Sequence, residues 1–371
     1  MGGHKLKVGV LTSSRADYSI YFPLLKQLKA DDYFELEIIA FGTHLSEQHG
    51  ATYKAIEKDG FEVKHKIENL LKGDHPKDIS ESQGATMIAF ADFWSEHTFD
   101  LVFCLGDRFE MFSAVSAGVP FNVKFAHIHG GETTLGAIDN AYRHSISLMS
   151  KFHFVTCKAY NDKLKSLLGK DQKIFNVGAL SIDNLKNLKL YSKPKMIELF
   201  GLDLNKPSIL FTFHPETVSF EKNEVYIQEI IKAFQLLKEY QLVITMPNAD
   251  TMGNLIRCYL EKYFAEVKNV FAIENFGTLG YLSAMKHCKM MLGNTSSGFV
   301  EASYFPTPVV NLGSRQDGRL RNRHIFDVEI KKASIVQKVR EISQGAHLLN
   351  ENAYGDGDTA VTICKIVKEI H

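Results

Sequence analysis

The chain has 371 residues, of which 45% are apolar, and its 43 basic side chains are balanced by 43 acidic ones. This length predicts two domains of ordinary size with substantial cores. The balanced charge gives no sign of a nucleic acid or an anionic membrane surface as a partner. The cysteines are odd in number and scattered without a CxxC pair, which is typical of reduced thiols. No apolar run approaches the ~20 residues that span a bilayer, so we expect a soluble cytoplasmic protein.

Short β-branched or apolar runs alternate with longer helical patterns along the chain, which indicates parallel sheets covered by helices. Strands are predicted in the first half at 7–13, 34–42, 62–67, 101–107, 123–131, 152–156 and 174–178. Helical patterns between them include 18–30, 84–97 and 139–150. Further strands are predicted in the second half at 208–214, 241–248, 269–275, 288–294 and 308–313. The fold class is therefore α/β, with two Rossmann-like, doubly wound domains that face each other across a cleft.

Unusual polar clusters follow many of the predicted strands. In open parallel sheets, ligands bind beyond the carboxyl ends of the strands. The clusters lie at 13–15, 106–108, 129–132, 214–216, 247–250 and 293–298. Their shared position predicts that they form the functional site.

Two clusters of the first half have both a structural and a functional interpretation. Arg15 comes at the start of a predicted helix, where a cation suits an anionic ligand, although Ser14 or Asp17 at this place is also typical of a simple helix cap. Asp107 in "GDRFEM" is equally typical of a cap. A capping aspartate at the end of a strand can nevertheless face the cleft.

The two histidines of the segment "HIHGGE" have a spacing that suggests a metal site, but strand geometry argues against one. His127 and His129 alternate along a strand and should point to opposite faces. Glu132 and Asp139 flank the following loop, and Arg143 lies one helical turn after Asp139. The pair Asp139–Arg143 is either a weak surface ion pair or part of a set of acid/base carboxylates tuned by nearby Arg and His side chains.

The second half carries the clearest predicted anion site. In "GNTSSGFVEA", backbone N–H groups at a helix start and the hydroxyls of Ser296 and Ser297 would hold a diphosphate. Glu301, about one turn into that helix, is placed to accept hydrogen bonds from ribose hydroxyls. His214 in "HPET" and Arg315 in "GSRQDGR" add polar and cationic groups at neighbouring strand ends. The pattern predicts an enzyme with an anion site in its second domain and carboxylates in its first, a division that fits, among other functions, a nucleotide-sugar enzyme.

Nine motifs occur in order between residues 13 and 360: SSRADYS, GDRFE, HIHGGE, RHSIS, HPET, MPNAD, NTSSG, VNLGSRQ and AYGDGDTA. As a set they resemble the hydrolysing UDP-N-acetylglucosamine 2-epimerases of sialic-acid and related nonulosonic-acid synthesis. The resemblance covers almost the whole chain. It implies the glycosyltransferase B fold, a reaction without cofactor or metal, and a homodimer or a dimer of dimers. It also implies a first domain of residues 1–180, joined by a C-terminal helix in 355–371, and a UDP-binding domain of residues 181–354.

The reaction implied by the resemblance converts UDP-N-acetylglucosamine to N-acetylmannosamine and UDP. The anomeric C–O bond breaks and the C2 proton leaves, giving a 2-acetamidoglucal; water then adds at C1 and a proton returns to C2 from the other face. The resemblance assigns acid/base positions to Asp107 and Asp139 and the ribose contact to Glu301. The candidate substrate contacts of this interpretation are Arg15, His214, Asn248, Ser296, Ser297, Gly298, Glu301 and Arg315.

One position departs from several family members, which have "HIEGGE" where this chain has His129. Either His129 takes the catalytic role of that glutamate, or Glu132 takes it, or the change reflects another sugar. UDP-N,N'-diacetylbacillosamine, which would give 2,4-diacetamido-2,4,6-trideoxymannose in legionaminic-acid synthesis, is the alternative substrate. A glycosyltransferase of the same fold and a UDP-sugar-binding regulator without turnover are the alternative functions.

Overall fold

A computed structural model describes residues 5–47, 50–69, 73, 75–169, 172–246, 253–265, 267–274, 276–305, 307–345 and 353–371. The chain divides into two compact units. The first comprises Met1–Glu132, Asp139–Lys186 and Tyr354–His371; the second comprises Thr133–Ile138 and Asn187–Ala353. From the sequence, residues 133–138 are expected in the first domain, whereas the structure groups Thr133–Ile138 with the second unit.

The first unit is built on a parallel sheet. Within the described residues its strands are β1 (Leu6–Thr12), β2 (Phe34–Phe41), β3 (His65–Ile67), β4 (Leu101–Leu105), β5 (Phe125–Ile128), β6 (Phe152–Val155) and β7 (Lys173–Asn176). They lie in the order β3-β2-β1-β4-β5-β6-β7. The order reverses direction at β1 and β4, which is the switch point where parallel α/β sheets bind ligands.

Helices cover this sheet and bury its continuous apolar runs. They are α1 (Arg15–Ala30), α2 (Tyr53–Lys58), α3 (Pro76–Glu96), α4 (Phe109–Gly118), α5 (Asp139–Met149), α6 (Lys158–Leu168) and α7 (Leu180–Asn187). Every residue of β4, "LVFCL", is buried, as expected for a strand covered on both faces. Trp94 of α3, the single tryptophan of the chain, packs in the same core against Phe125.

The C-terminal helix α14 (Thr359–Ile370) belongs to the first unit. Its apolar face joins the core beside α1, and Lys368 pairs with Asp31 at 2.5 Å. The start of α14 is held by the buried carboxylate of Asp183, which accepts hydrogen bonds from Thr359 N at 3.0 Å and Ala360 N at 2.8 Å. The motif "AYGDGDTA" therefore leads into a helix whose first N–H groups are capped by a residue far away in the sequence.

The second unit is also built on a parallel sheet with interleaved helices. Its described strands are β8 (Ser208–Thr212), β9 (Gln241–Thr245), β10 (Val270–Ile273), β11 (Met290–Gly293), β12 (Val309–Leu312) and β13 (Ile325–Val328), in the order β10-β9-β8-β11-β12-β13. Its helices are α8 (Lys193–Phe200), α9 (Asn223–Phe234), α10 (Gly253–Phe264), α11 (Gly277–His287), α12 (Glu301–Tyr304) and α13 (Lys332–Ser343). The edge strand β13 was not predicted from the sequence.

Among the helices in the described ranges, none is long and apolar enough to cross a membrane.

Candidate active site

Asp107 and Arg143 form an ion pair at the carboxyl edge of the first sheet. Asp107 follows β4 and is not the helix cap considered from the sequence, because Arg108 occupies the N-cap position of α4. The Arg143 side chain is only 3% exposed, so this is no weak surface pair. Arg143 Nη1 also donates to the backbone oxygen of Glu132 at 3.2 Å. One buried guanidinium thus joins two of the predicted acid/base residues.

Glu132 and His129 form a second polar pair of the same unit. His129 Nδ1 lies 3.1 Å from Glu132 Oε1, and Thr156 Oγ1 donates to the same oxygen at 3.3 Å. The Glu132 carboxylate is buried. His129 Nε2 is also buried and has no hydrogen-bond partner among the described residues. The two side chains therefore lie within hydrogen-bond distance of each other.

The backbone of His129 is strained, which fits a functional position. Its φ is +66°, in the left-handed region that costs free energy for a residue with a Cβ atom. The strand β5 ends at Ile128, and His129 N donates to the oxygen of Phe154 in the neighbouring strand at 3.1 Å. This turn directs the imidazole towards Glu132 instead of along the sheet.

His127 has a structural role beneath this edge. Its Nε2 donates to the backbone oxygen of Gly106 at 2.8 Å, and its Nδ1 lies 2.9 Å from Ser147 Oγ, from which it accepts a hydrogen bond. Burial lowers the pKa of the ring to about 3, so it stays neutral and supports the turn that carries Asp107. The part of the chain that the structure describes holds no group of three or more His, Cys, Asp or Glu side chains suited to bind a metal ion.

Asp139 and Arg15 stand at the first positions of their helices. Asp139 opens α5, one turn before Arg143. Arg15 opens α1 and is exposed. Ser14 caps α1 by accepting from Asp17 N at 3.3 Å, so the simple capping interpretation holds for Ser14.

Glu110 is a buried residue that was not predicted from the sequence to belong to the site. Its carboxylate accepts two hydrogen bonds from Arg108, at 3.0 Å and 3.2 Å. Burial raises the pKa of this carboxyl group, against the lowering effect of Arg108. These two bonds fix the side chain of Arg108, the residue after Asp107. The "R-x-E" spacing in "GDRFE" was the available signal for it.

In the second unit, a buried amide organises the strand ends around His214. Asn294 Oδ1 accepts from His214 N at 2.7 Å, and Asn294 Nδ2 donates to His214 O at 2.8 Å. Gln316 Nε2 donates to the backbone oxygen of Asn294 at 2.7 Å. Three loops that follow β8, β11 and β12 are thereby fixed to one another. The sequence motifs predict a site in this region, but they did not reveal that Asn294 and Gln316 hold its loops together.

The predicted anion cradle has a different backbone from the one expected. A single 3-10 turn, Ser296–Gly298, follows β11, and α12 starts only at Glu301. Glu301 is therefore the first residue of its helix and not one turn into it. The Ser297 hydroxyl lies 2.5 Å from the Tyr281 hydroxyl, whereas Ser296 is exposed. The turn presents hydroxyl groups at the carboxyl edge of the second sheet, as predicted.

Arg315 lies beside the "HPET" loop, with its Nε donating to Pro215 O at 3.2 Å. The backbone of Ser314–Arg315 is approached closely by Gly136, where a Cβ atom would lie 2.6 Å from the Arg315 Cα. Leu135 N donates to Asp317 O at 2.9 Å. The segment between Glu132 and Asp139 is thus bound to the arginine loop of the second unit. Asn248, a predicted substrate contact, lies outside the described residues.

The sequence profile of the family described as UDP-N-acetylglucosamine 2-epimerase matches residues 26–368. The chain belongs to this family. The resemblance found in the sequence motifs is therefore confirmed, and so is the enzyme class, a hydrolysing 2-epimerase of nucleotide sugars.

Two curated relatives show how the similarity extends. The GDP/UDP-N,N'-diacetylbacillosamine 2-epimerase (hydrolyzing) of Campylobacter jejuni is 37% identical over 88% of this chain and 85% of its own length. The UDP-N,N'-diacetylbacillosamine 2-epimerase (hydrolyzing) of Legionella pneumophila is 31% identical over 98% of this chain and 96% of its own.

Among solved structures, the UDP-GlcNAc 2-epimerase of Neisseria meningitidis bound to UDP-GlcNAc has a TM-score of 0.80. The match covers 98% of this chain and 100% of that one at 18% identity. At this identity it shows the fold alone. The predicted α/β fold of the glycosyltransferase B type is confirmed for this epimerase.

Proposed function

We propose that the protein converts UDP-N,N'-diacetylbacillosamine and water to UDP and 2,4-diacetamido-2,4,6-trideoxymannose. The observation that carries this choice of sugar is the similarity to the Campylobacter and Legionella enzymes named for it, at 37% and 31% identity. UDP-N-acetylglucosamine is the second candidate, because the family as a whole is described by that substrate.

The chemistry needs a place for developing negative charge and at least two acid/base groups. Cleavage of the anomeric C–O bond leaves charge on the diphosphate, which cations and N–H donors stabilise. Loss and return of the C2 proton need groups within hydrogen-bond reach of C2. The intermediate is a 2-acetamidoglucal, to which water adds at C1.

In this proposal, residues of the first unit act as the acids and bases. Asp107, paired with the buried Arg143, is held as an oriented carboxylate and is suited to remove a proton. Glu132 and His129, linked at 3.1 Å, form a pair suited to supply and accept a proton on another face of the sugar. Asp139 completes the set at the start of α5.

In this proposal, residues of the second unit bind the nucleotide. Ser296, Ser297 and Gly298 form the turn after β11. The hydroxyls and backbone N–H groups of Ser296 and Ser297 are proposed to donate to the diphosphate, while Gly298 N closes the turn by donating to Thr295 O at 3.2 Å. Glu301 is proposed to contact the ribose. His214 and Arg315 supply polar and positive groups, as does Arg15 in the first unit. We also include Asn248 in the substrate contacts, on the motif alone.

Three further properties are part of the proposal. With Arg15 and Arg315 to neutralise the diphosphate, the reaction requires no metal, so a chelator such as EDTA should leave the rate unchanged. The family resemblance supports a homodimer or a dimer of dimers, which light scattering after size-exclusion chromatography would measure. The five cysteines are free thiols, which supports a reducing compartment such as the cytoplasm.

The test is a product assay by NMR with the two UDP-sugars side by side. We expect free manno-configured sugar and UDP in equal amounts, with the higher kcat/KM for the diacetamido substrate. A higher kcat/KM for UDP-N-acetylglucosamine would reverse the choice of sugar. Transfer of the sugar to an acceptor, or UDP binding without product, would support the glycosyltransferase or the regulator instead.

A further inference from the structure

Glu216 of "HPET" is a buried carboxylate that no substrate contact explains. Its side chain is enclosed by protein, with the residue 1% exposed. Both oxygens are bound to one neighbouring residue: Oε1 accepts from Ser314 N at 2.6 Å and Oε2 accepts from Ser314 Oγ at 3.0 Å. Because a buried carboxylate carries a large desolvation cost, this pair of bonds indicates that the position of Ser314 matters.

The turn on the other side of these bonds is shaped to receive the carboxylate. Gly313 has a φ of +71°, and a Cβ atom there would lie 2.4 Å from Glu216 Oε1. Only glycine both adopts this backbone conformation without strain and leaves room for the oxygen. The turn and the carboxylate therefore fit each other at the end of β12.

The backbone of Glu216 is fixed as firmly as its side chain. The buried amide of Asn223 accepts from Glu216 N at 2.9 Å and donates to Glu216 O at 2.9 Å. One residue earlier, Pro215 O accepts from Arg315 Nε at 3.2 Å. The "HPET" loop and the Gly313–Arg315 turn are thus joined at both Ser314 and Arg315.

We propose that Glu216 is a positioning residue of the reaction, whose carboxylate holds the Gly313–Ser314 turn so that Arg315 is placed for the diphosphate. This inference rests on the proposed function, in which Arg315 binds the nucleotide. Glu216 itself is enclosed by protein. It acts through Ser314 and Arg315, by fixing a cationic side chain before the ligand arrives, so that less ordering is required on binding.

The same network has a second effect within the second unit. Thr217, next to Glu216, accepts a hydrogen bond through Oγ1 from Ile138 N at 2.9 Å, and Gly136 packs on the Ser314–Arg315 backbone. The Thr133–Ile138 segment is therefore held by the two loops that Glu216 joins. A shift of the Gly313–Ser314 turn displaces the surface on which this segment rests.

The experiment compares UDP affinity, kcat and KM in four variants of the full-length protein. Glu216→Ala removes both acceptors, and we expect it to weaken UDP binding by about tenfold or more, because hydrogen bonds to charged groups are among the stronger ones. Glu216→Gln keeps an acceptor for Ser314 N, and its amide can donate to Ser314 Oγ, so it should restore most of the affinity. Ser314→Ala removes one of the two bonds and should have an intermediate effect while the protein stays folded.

The matched control is Ser208→Ala at the opposite, amino end of β8. The buried Ser208 hydroxyl donates to Lys206 O at 2.8 Å and accepts from Gln241 Nε2 at 3.0 Å. Its removal costs stability without reaching the arginine turn. We expect a lower Tm with unchanged UDP affinity, whereas the Glu216 and Ser314 variants change UDP affinity and KM more than kcat.

Two results would overturn the inference in distinguishable ways. In the first case, the wild-type protein converts a UDP-sugar to product, but Ser314→Ala and folded Glu216→Ala bind UDP as tightly as the wild type. Glu216 is then merely structural, and the inference fails while the proposed function stands. If wild-type protein makes no product from either UDP-sugar, the proposed function fails and the inference fails with it.

Discussion

Replacing His153 with phenylalanine should make the first unit less sensitive to acid. His153 lies in the middle of the buried strand β6, and neither of its ring nitrogens has a hydrogen-bond partner in the described ranges. Burial lowers the pKa of this ring from 6.5 to about 4. His153→Phe removes the titrating group, and no hydrogen bond to a described residue is lost with it.

The expected loss of stability on acidification follows from the difference in proton binding between the folded and unfolded states. The unfolded ring takes up a proton as the pH falls below 6.5, whereas the folded ring resists protonation until about pH 4. The free energy of unfolding therefore falls between these values and levels off below the lower one. Between about pH 7 and about pH 5 this ring costs the wild type roughly 2 kcal/mol of stability, and His153→Phe should not lose that amount.

Trp94 makes the measurement specific to the first unit. It is the only tryptophan in the chain, and it is buried in the first core, so its fluorescence during urea unfolding reports on that unit. The control is Phe154→Leu on the same strand, whose ring packs on Phe103 and Phe175 and which should lower stability equally at both pH values. If His153→Phe loses as much stability on acidification as wild type does, the buried neutral state of His153 is refuted.

Three further predictions concern the site and the C-terminal helix. Asp107→Asn and Asp139→Asn should abolish turnover while calorimetry finds UDP affinity near that of wild type; loss of UDP binding would contradict their role at the sugar. Ser297→Ala should weaken UDP binding by roughly 0.5–1.5 kcal/mol, the contribution of one neutral hydrogen bond, and unchanged affinity in titration calorimetry would remove Ser297 from the nucleotide site. Asp183→Ala leaves two buried N–H groups of α14 without their acceptor and should lower the free energy of urea unfolding by about 1–3 kcal/mol; an unchanged midpoint would refute the capping role.

Most of the sheet framework could be predicted from the sequence, because buried parallel strands are continuous apolar runs. The run 101–107 contains β4 (Leu101–Leu105), and the run 208–214 contains β8 (Ser208–Thr212). The edge strand β13 was missed because "IFDV" at 325–328 is short and only partly buried, so its apolar signal is weak.

The contacts inside the site were less predictable, because they join residues that are distant in the sequence. Helical spacing placed Arg143 one turn after Asp139 but gave no sign of the ion pair of Arg143 with Asp107, which follows a different strand. The strained turn at His129 likewise depends on its contact with the neighbouring strand, which no local pattern reveals. Local sequence indicated which residue types gather at the sheet edge but not which side chains pair there.

The Thr133–Ile138 segment shows the same limit at the level of domains. Its sequence between Glu132 and Asp139 is typical of a loop within one domain. Its hydrogen bonds go to Asp317 and Thr217 of the second unit, and such long-range partners leave no periodic signal. The glycine at position 136 is the local trace of this contact, because a side chain there would meet the Arg315 backbone.

The most direct test of the central claim is the reaction in heavy water with mass and NMR analysis of the released sugar. A hydrolysing epimerase that removes and returns the C2 proton should give free manno-configured sugar carrying deuterium at C2, with an equal amount of UDP. Sugar released with the original hydrogen and configuration at C2, or an intact UDP-sugar epimerised without hydrolysis, would contradict the account.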